Sequence, residues 1–170
     1  MNMTMEGKND MIEVADGTRQ IRFEGEKLAR SSSYSPGKVR WIEFNLYKTL
    51  AGSFVLHRIG ASRQIHTSKC NTVVRNKIKE APVESIELDN ATICNACQLE
   101  GDQGYNSVIY PEVPRHWASV SESAESVVDN LYKVDYTGNR YLTDVAKRLL
   151  EDASSVDASI ADAYLTEYID

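Results

Sequence analysis

The sequence predicts an α+β protein, an antiparallel β-meander carrying a Cys₃His zinc knuckle and followed by two or three C-terminal helices. Three observations predict it. Apolar residues alternate with period two between residues 39 and 67, apolar residues recur at helical spacing after residue 121, and a set of soft metal donors stands between the two regimes. The expected organisation has a flexible tail over 1–17, a β-rich zinc module over 18–118, and an acidic helical segment over 119–170 that is packed on the module or appended to it.

The elements follow in order. Residues 1–16 show no apolar periodicity and read as a tail, after which 18–24 alternates like a short strand. Residues 31–37, Ser-Ser-Ser-Tyr-Ser-Pro-Gly, have the composition of an exposed loop. The clearest strand runs over 39–48, with Ile42, Phe44 and Leu46 on one face, and turns through 50–53 into a second strand over 54–59. Gly60 and Ala61 permit a bend, so 62–67 completes a three-stranded meander that delivers His66 and Cys70 at its end. Val73, Val74 and Ile78 then suggest a short basic helix over 71–80, ended by Pro82, while 83–88 fits either strand or helix. Pro111 and Pro114 make 108–120 extended.

Beyond residue 120 the pattern is helical. Ser121 or Ser123 can cap a helix that buries Val127, Val128, Leu131 and Tyr132, and Thr137-Gly138-Asn139 separates it from the next. Tyr141, Leu142, Val145, Leu149 and Leu150 form a stripe over 140–153. After Ser154 and Ser155, the residues Val156, Ile160, Tyr164 and Tyr168 stand four apart in a last helix.

His66-x₃-Cys70 and Cys94-x₂-Cys97 supply four donors that suit tetrahedral Zn²⁺ and use every one of the 3 cysteines. Such a set closes the coordination sphere, so the zinc would be structural. His57 or His116 could replace His66 as fourth ligand. The order of donors is not that of a zinc nucleobase deaminase, which needs His-x-Glu and then Pro-Cys-x-x-Cys. An odd cysteine count, a polar beginning without the apolar stretch of a secretory signal, and no apolar run near the 18 residues of a membrane span point to a reducing, cytoplasmic setting and no membrane association.

Charge is segregated along the 170 residues. Net charge is -6, yet residues 31–79 hold nine basic side chains against Glu43 alone. The rest is acidic. Arg40, Lys48, Arg58, Arg63, Lys69, Arg75 and Lys77, interleaved with Trp41 and Tyr47, form a candidate nucleic-acid or partner surface, since cations neutralise phosphates and rings stack on bases. Glu122, Glu125, Asp129, Asp144, Glu151, Asp152, Asp157 and Asp162 form a candidate acidic face for a protein partner with a basic surface.

The best-supported expectation is therefore a non-enzymatic, zinc-stabilised interaction protein that binds a partner protein through its acidic helices. A viral or mobile-element inhibitor of a nucleic-acid-handling enzyme would use that logic. The alternative is a nucleic-acid-binding zinc module using the basic 31–79 sheet. A third reading, a phosphodiester-cleaving enzyme around His57, lacks a defined partner for that base, and no nucleotide-binding or hydrolase motif occurs.

Overall fold

The structure is a computed structural model that describes residues 10–67, 92–94 and 109–166. In chain order its strands are β1 (Asp10–Asp16), β2 (Arg19–Ser32), β3 (Arg40–Thr49), β4 (Phe54–Ser62), β5 (Gln64–Thr67), β6 (Thr92–Ile93), β7 (Ile109–Pro111), β8 (Arg115–Ser121), β9 (Lys133–Val134) and β10 (Arg140–Tyr141). Its helices are α1 (Ala124–Leu131), α2 (Asp144–Ser154) and α3 (Ala158–Leu165). The described residues fall into two compact units, one of 10–33, 42–59 and 116–166, the other of 34–41, 60–67, 92–94 and 109–115.

The first unit is built on an antiparallel five-stranded sheet in the order β1-β2-β3-β4-β8. Its two edges meet. The Gly17 amide in the β1–β2 turn donates to the His116 carbonyl of β8 at 2.8 Å, and the Ala118 amide donates to the Asp16 carboxylate at 3.1 Å, so the sheet is curled. Two features of β2 allow that curl. Leu28 is the extra residue of a bulge between Lys27 and Ala29, which increases local twist. Gly25, paired with Asp10 on one side and Thr49 on the other, has no room for a side chain, because a Cβ there would lie 2.2 Å from the Lys48 carbonyl oxygen.

The convex and concave faces bury different things. Ala29, Phe44, Leu46, Phe54 and Leu56 project toward the helices and join Val127, Leu131, Val145, Leu149, Leu150 and Ile160 in the main core. Full burial of each such large aliphatic side chain contributes about 1.5–3 kcal/mol. On the other face Val14, Tyr47 and Val55 pack with Ile12, Ile21, Phe23 and Ala118, a smaller cluster drawn from all five strands. Residues from both edge strands can share one cluster only inside the curl.

Each helix starts on the cap its sequence supplies. Ser123, Thr143 and Asp157 accept the amides of Ser126, Ala146 and Ile160 respectively. Between α1 and α2, β9 and β10 form a two-stranded hairpin whose turn is organised by the Asp135 carboxylate, which accepts from the Thr137 and Asn139 amides.

Several expectations are corrected. Residues 10–16, assigned to the tail, form β1, because Ile12 and Val14 alternate with Glu13, which pairs with Arg22 on β2. The strand over 62–67 does not extend the meander; β5 belongs to a separate sheet in the second unit, ordered β6-β5-β7, and β8 takes the place beside β4. Arg140 and Tyr141 lie in a hairpin rather than a helix, since Thr143 caps α2 after them. Tyr132 is the C-cap of α1 and is exposed, and Val156 precedes α3 with 64% exposure. The expected helix over 71–80, the segment 83–88 and Tyr168 lie outside the described residues.

Candidate functional site

Half of the eight acidic candidates sit where helix physics disfavours them. Asp129, Glu151, Asp152 and Asp162 all occupy the last turns of α1, α2 and α3, and none of those turns carries a basic side chain. Unsatisfied carbonyls make a helix C-terminus negative, so a carboxylate there is repelled. Asp129 is offset by Arg140 at 3.2 Å, an exposed pair. Glu151 and Asp152 are exposed, as are Glu122, Glu125 and Asp144 near helix starts.

Asp157 is different from the rest. It is only 7% exposed, caps α3, and accepts from Lys48 Nζ on β3 at 2.6 Å. Burial alone would raise its pKa, but hydrogen bonds from Lys48, Ser159 and the Ile160 amide outweigh it and hold the carboxyl below its ordinary value. One predicted acidic-face residue thus neutralises one predicted basic-face residue inside the first unit.

The other basic and aromatic candidates are distributed among distinct local arrangements. Tyr47 is buried in the concave cluster, edge-to-face with Phe23 at 5.5 Å. Arg58 lies in the first unit with its guanidinium 5.0 Å from the Trp117 ring centroid. In the second unit, Arg63 lies over both Tyr34 and Trp41, at 5.1 and 5.7 Å. Arg40 in the same unit donates to Gln64 and Glu112, each at 2.9 Å. Lys69, Arg75 and Lys77 lie outside the described residues.

Of the metal-ligand candidates, the second unit brings two together by backbone register. β5 and β6 run parallel with Ile65 beside Ile93, and the Cys94 amide donates to the Ile65 carbonyl at 3.0 Å, which sets Cys94 beside His66. Both are buried, His66 at 1% and Cys94 at 9% exposure. His66 Nε2 lies 2.8 Å from Glu112 Oε1. Burial works against the Glu112 carboxylate, but Ser62, His66 and the Arg40 charge together hold its pKa below the usual value. A carboxylate on one imidazole nitrogen fixes ring orientation, the arrangement that supports metal-ligating histidines. Among the described residues no group of three His, Cys, Asp or Glu side chains is placed to hold a metal ion; Cys70 and Cys97 lie outside them.

The other two histidines face each other across the concave side of the first unit. His57 Nε2 and His116 Nδ1 are 3.0 Å apart, with the rings stacked at 14°. Burial, then the neighbouring His116, lowers the His57 pKa against the opposing pull of Glu43, so His57 is neutral at physiological pH. Glu112 and Trp117 were not singled out from sequence. The triplet Arg115-His116-Trp117 on an extended segment was the available signal for Trp117, whereas nothing local marks Glu112 as the partner of a histidine 46 residues away.

The chain matches no family model, no curated protein and no solved structure.

Proposed function

We propose that the chain is a non-enzymatic interaction protein whose helical side binds a partner protein with a basic surface. The observation that carries this reading is the placement of Glu151 and Asp152, exposed acids in the last turn of α2 with no basic side chain in that turn. A local helix rule broken at exposed positions is the pattern expected at a functional surface. Complementary charge of this kind accelerates association and selects partners. The partner class that fits is a protein with a basic, nucleic-acid-binding groove, of the sort a virus-borne or mobile-element inhibitor occupies.

A photo-crosslinker placed at Glu125 would identify the partner in cells, and titration of the purified partner would then decide. Binding should weaken as salt rises, and Glu151→Lys with Asp152→Lys should weaken it at least tenfold. Unchanged affinity in that double variant overturns the reading.

The zinc assignment is part of the same proposal, with His66, Cys70, Cys94 and Cys97 as ligands and Glu112 orienting His66. The metal would staple the second unit, and its thiolates call for a reducing compartment such as the cytoplasm. Native mass spectrometry should find one zinc per chain. Because structural zinc affinity is folding free energy, Cys97→Ala should lower the melting temperature and release the metal. An unchanged melting temperature would discard the site.

A further inference from the structure

The first unit contains a cavity of about 270 Å³ on the helix side of the sheet, bounded by β4, β8, the end of α1 and β9. Its floor is apolar, formed by Phe44, Leu56 and Leu131, and its polar contributors include Arg58 and Lys133. Two large, partly exposed rings line it, Trp117 at 44% exposure and Tyr132 at 36%, the latter with the Arg140 guanidinium 4.4 Å from its centroid. Arg58 carries the decisive feature. Its Nε is buried and has no hydrogen-bond partner, and its guanidinium rests on the Trp117 ring. A buried donor on a charged group left without an acceptor is costly, and native proteins seldom retain one without a ligand, ion or water to satisfy it.

We propose that this cavity binds a nucleoside phosphate. An arginine fork and a lysine select an anion with several oxygens, and the exposed indole face offers a stacking platform for a planar base. Arg58 holds the phosphate, with Lys133 at the same anion, while the exposed part of Trp117 contacts the base and Tyr132, held under Arg140, forms the wall beside it. The volume is near the lower end of small-molecule sites, about 300 Å³, which suits one nucleotide rather than a longer segment. The same chemistry is offered by a free mononucleotide and by the terminal nucleotide of a single strand.

The chain has 2 tryptophans, so in a Trp41→Phe background Trp117 is the sole indole reporter. Its fluorescence is titrated with AMP, UMP, a 5′-phosphorylated tetranucleotide, inorganic phosphate and adenosine. Quenching by the mononucleotides, with phosphate and adenosine at least tenfold weaker, supports the site. A tetranucleotide that binds tighter than AMP assigns it to strand ends, and equal affinity assigns it to the free nucleotide. Arg58→Gln and Lys133→Gln should each weaken binding at least tenfold with no change in melting temperature for Lys133→Gln. If Arg58→Gln does not fold, Lys133→Gln decides alone. No quenching by any nucleotide up to 10 mM (about 2.7 kcal/mol of binding free energy at 25 °C by ΔG = RT ln Kd), phosphate binding as well as AMP, or undiminished affinity in the folded variants overturns the proposal.

Discussion

The two faces of the curled sheet solve opposite problems. On the convex face, Phe44, Leu46, Phe54 and Leu56 meet helices whose own buried residues are apolar, with the Asp157 cap and its Lys48 partner as a charged exception, so this side supplies most of the hydrophobic stabilisation. The concave face has a small apolar cluster and places Asn45 and His57, both under 8% exposed, on the same side of β3 and β4 as Tyr47 and Val55. Stability is concentrated under the helices. Curvature and the stacked histidine pair belong to the other side.

The largest expected effect tests the convex side. Leu149 is completely buried at the centre of the main core, and Leu149→Ala should cost about 2–5 kcal/mol in urea denaturation. Val14→Ala on the concave side removes two methyl groups from a smaller cluster and should cost about 1–2 kcal/mol. Equal losses would mean that the two faces are equivalent cores. Gly25→Ala attacks the curl itself, because its Cβ meets backbone rather than a movable side chain. About 3 kcal/mol is expected, with loss of amide protection at Gly17 and Ala118, where the sheet edges meet. Unchanged protection there would show that β2 does not need the glycine to bend.

Acid titration separates the faces more gently. His57 has its pKa lowered in the folded state by burial first and by His116 on β8, against Glu43 on β3, with Lys27 on β2 adding to the lowering. The unfolded chain therefore takes up this proton first as pH falls. Stability from this group is fully present above about 6.5 and is lost as pH drops from there toward the folded-state value. Asp157 and Glu112, whose pKa values lie below 3.8 and 4.5, contribute stability that is lost only in that lower range. His57→Gln should flatten the melting-temperature profile as pH falls from about 6.5, while the further loss below about pH 4.5, which belongs to the carboxylates, remains. A profile identical to that of the parent would remove the histidine pair from the acid response.

Much of the convex face was legible because its periodicities are long and clean. Ile42, Phe44 and Leu46 alternate, Val145, Leu149 and Leu150 fall on one helical stripe, and Ser123 stands where an N-cap is wanted. The concave face was not. β1 offers two aliphatic residues, Ile12 and Val14, in a polar stretch, and its pairing partners lie beyond a turn that periodicity does not rank. The place of β8 beside β4 depends on curling the chain over more than fifty residues, which no local pattern encodes. At the candidate sites, charge counting placed Asp157 and Lys48 on opposed surfaces, but a carboxylate three residues before Ile160 is also an N-cap, and that role turned it inward toward Lys48. Glu151 and Asp152 kept the exposed position that their spacing implied.

The smallest effect is the one that connects stability to the proposed binding surface. Replacing Glu151 and Asp152 by lysine reverses two charges in the last turn of α2, where the carbonyl ends are negative and no base is present. Each change should stabilise the helix by about 0.3–1 kcal/mol at low ionic strength, and the gain should shrink as salt screens it. The double variant would then melt higher than the parent while binding its partner less well. That opposition is informative because a solvated helix face with no partner predicts the stability gain without the binding loss, whereas acids needed for folding predict neither. A fall in melting temperature would show that Glu151 and Asp152 are held by contacts within the fold, and the case for a selected acidic surface on α2 would end there.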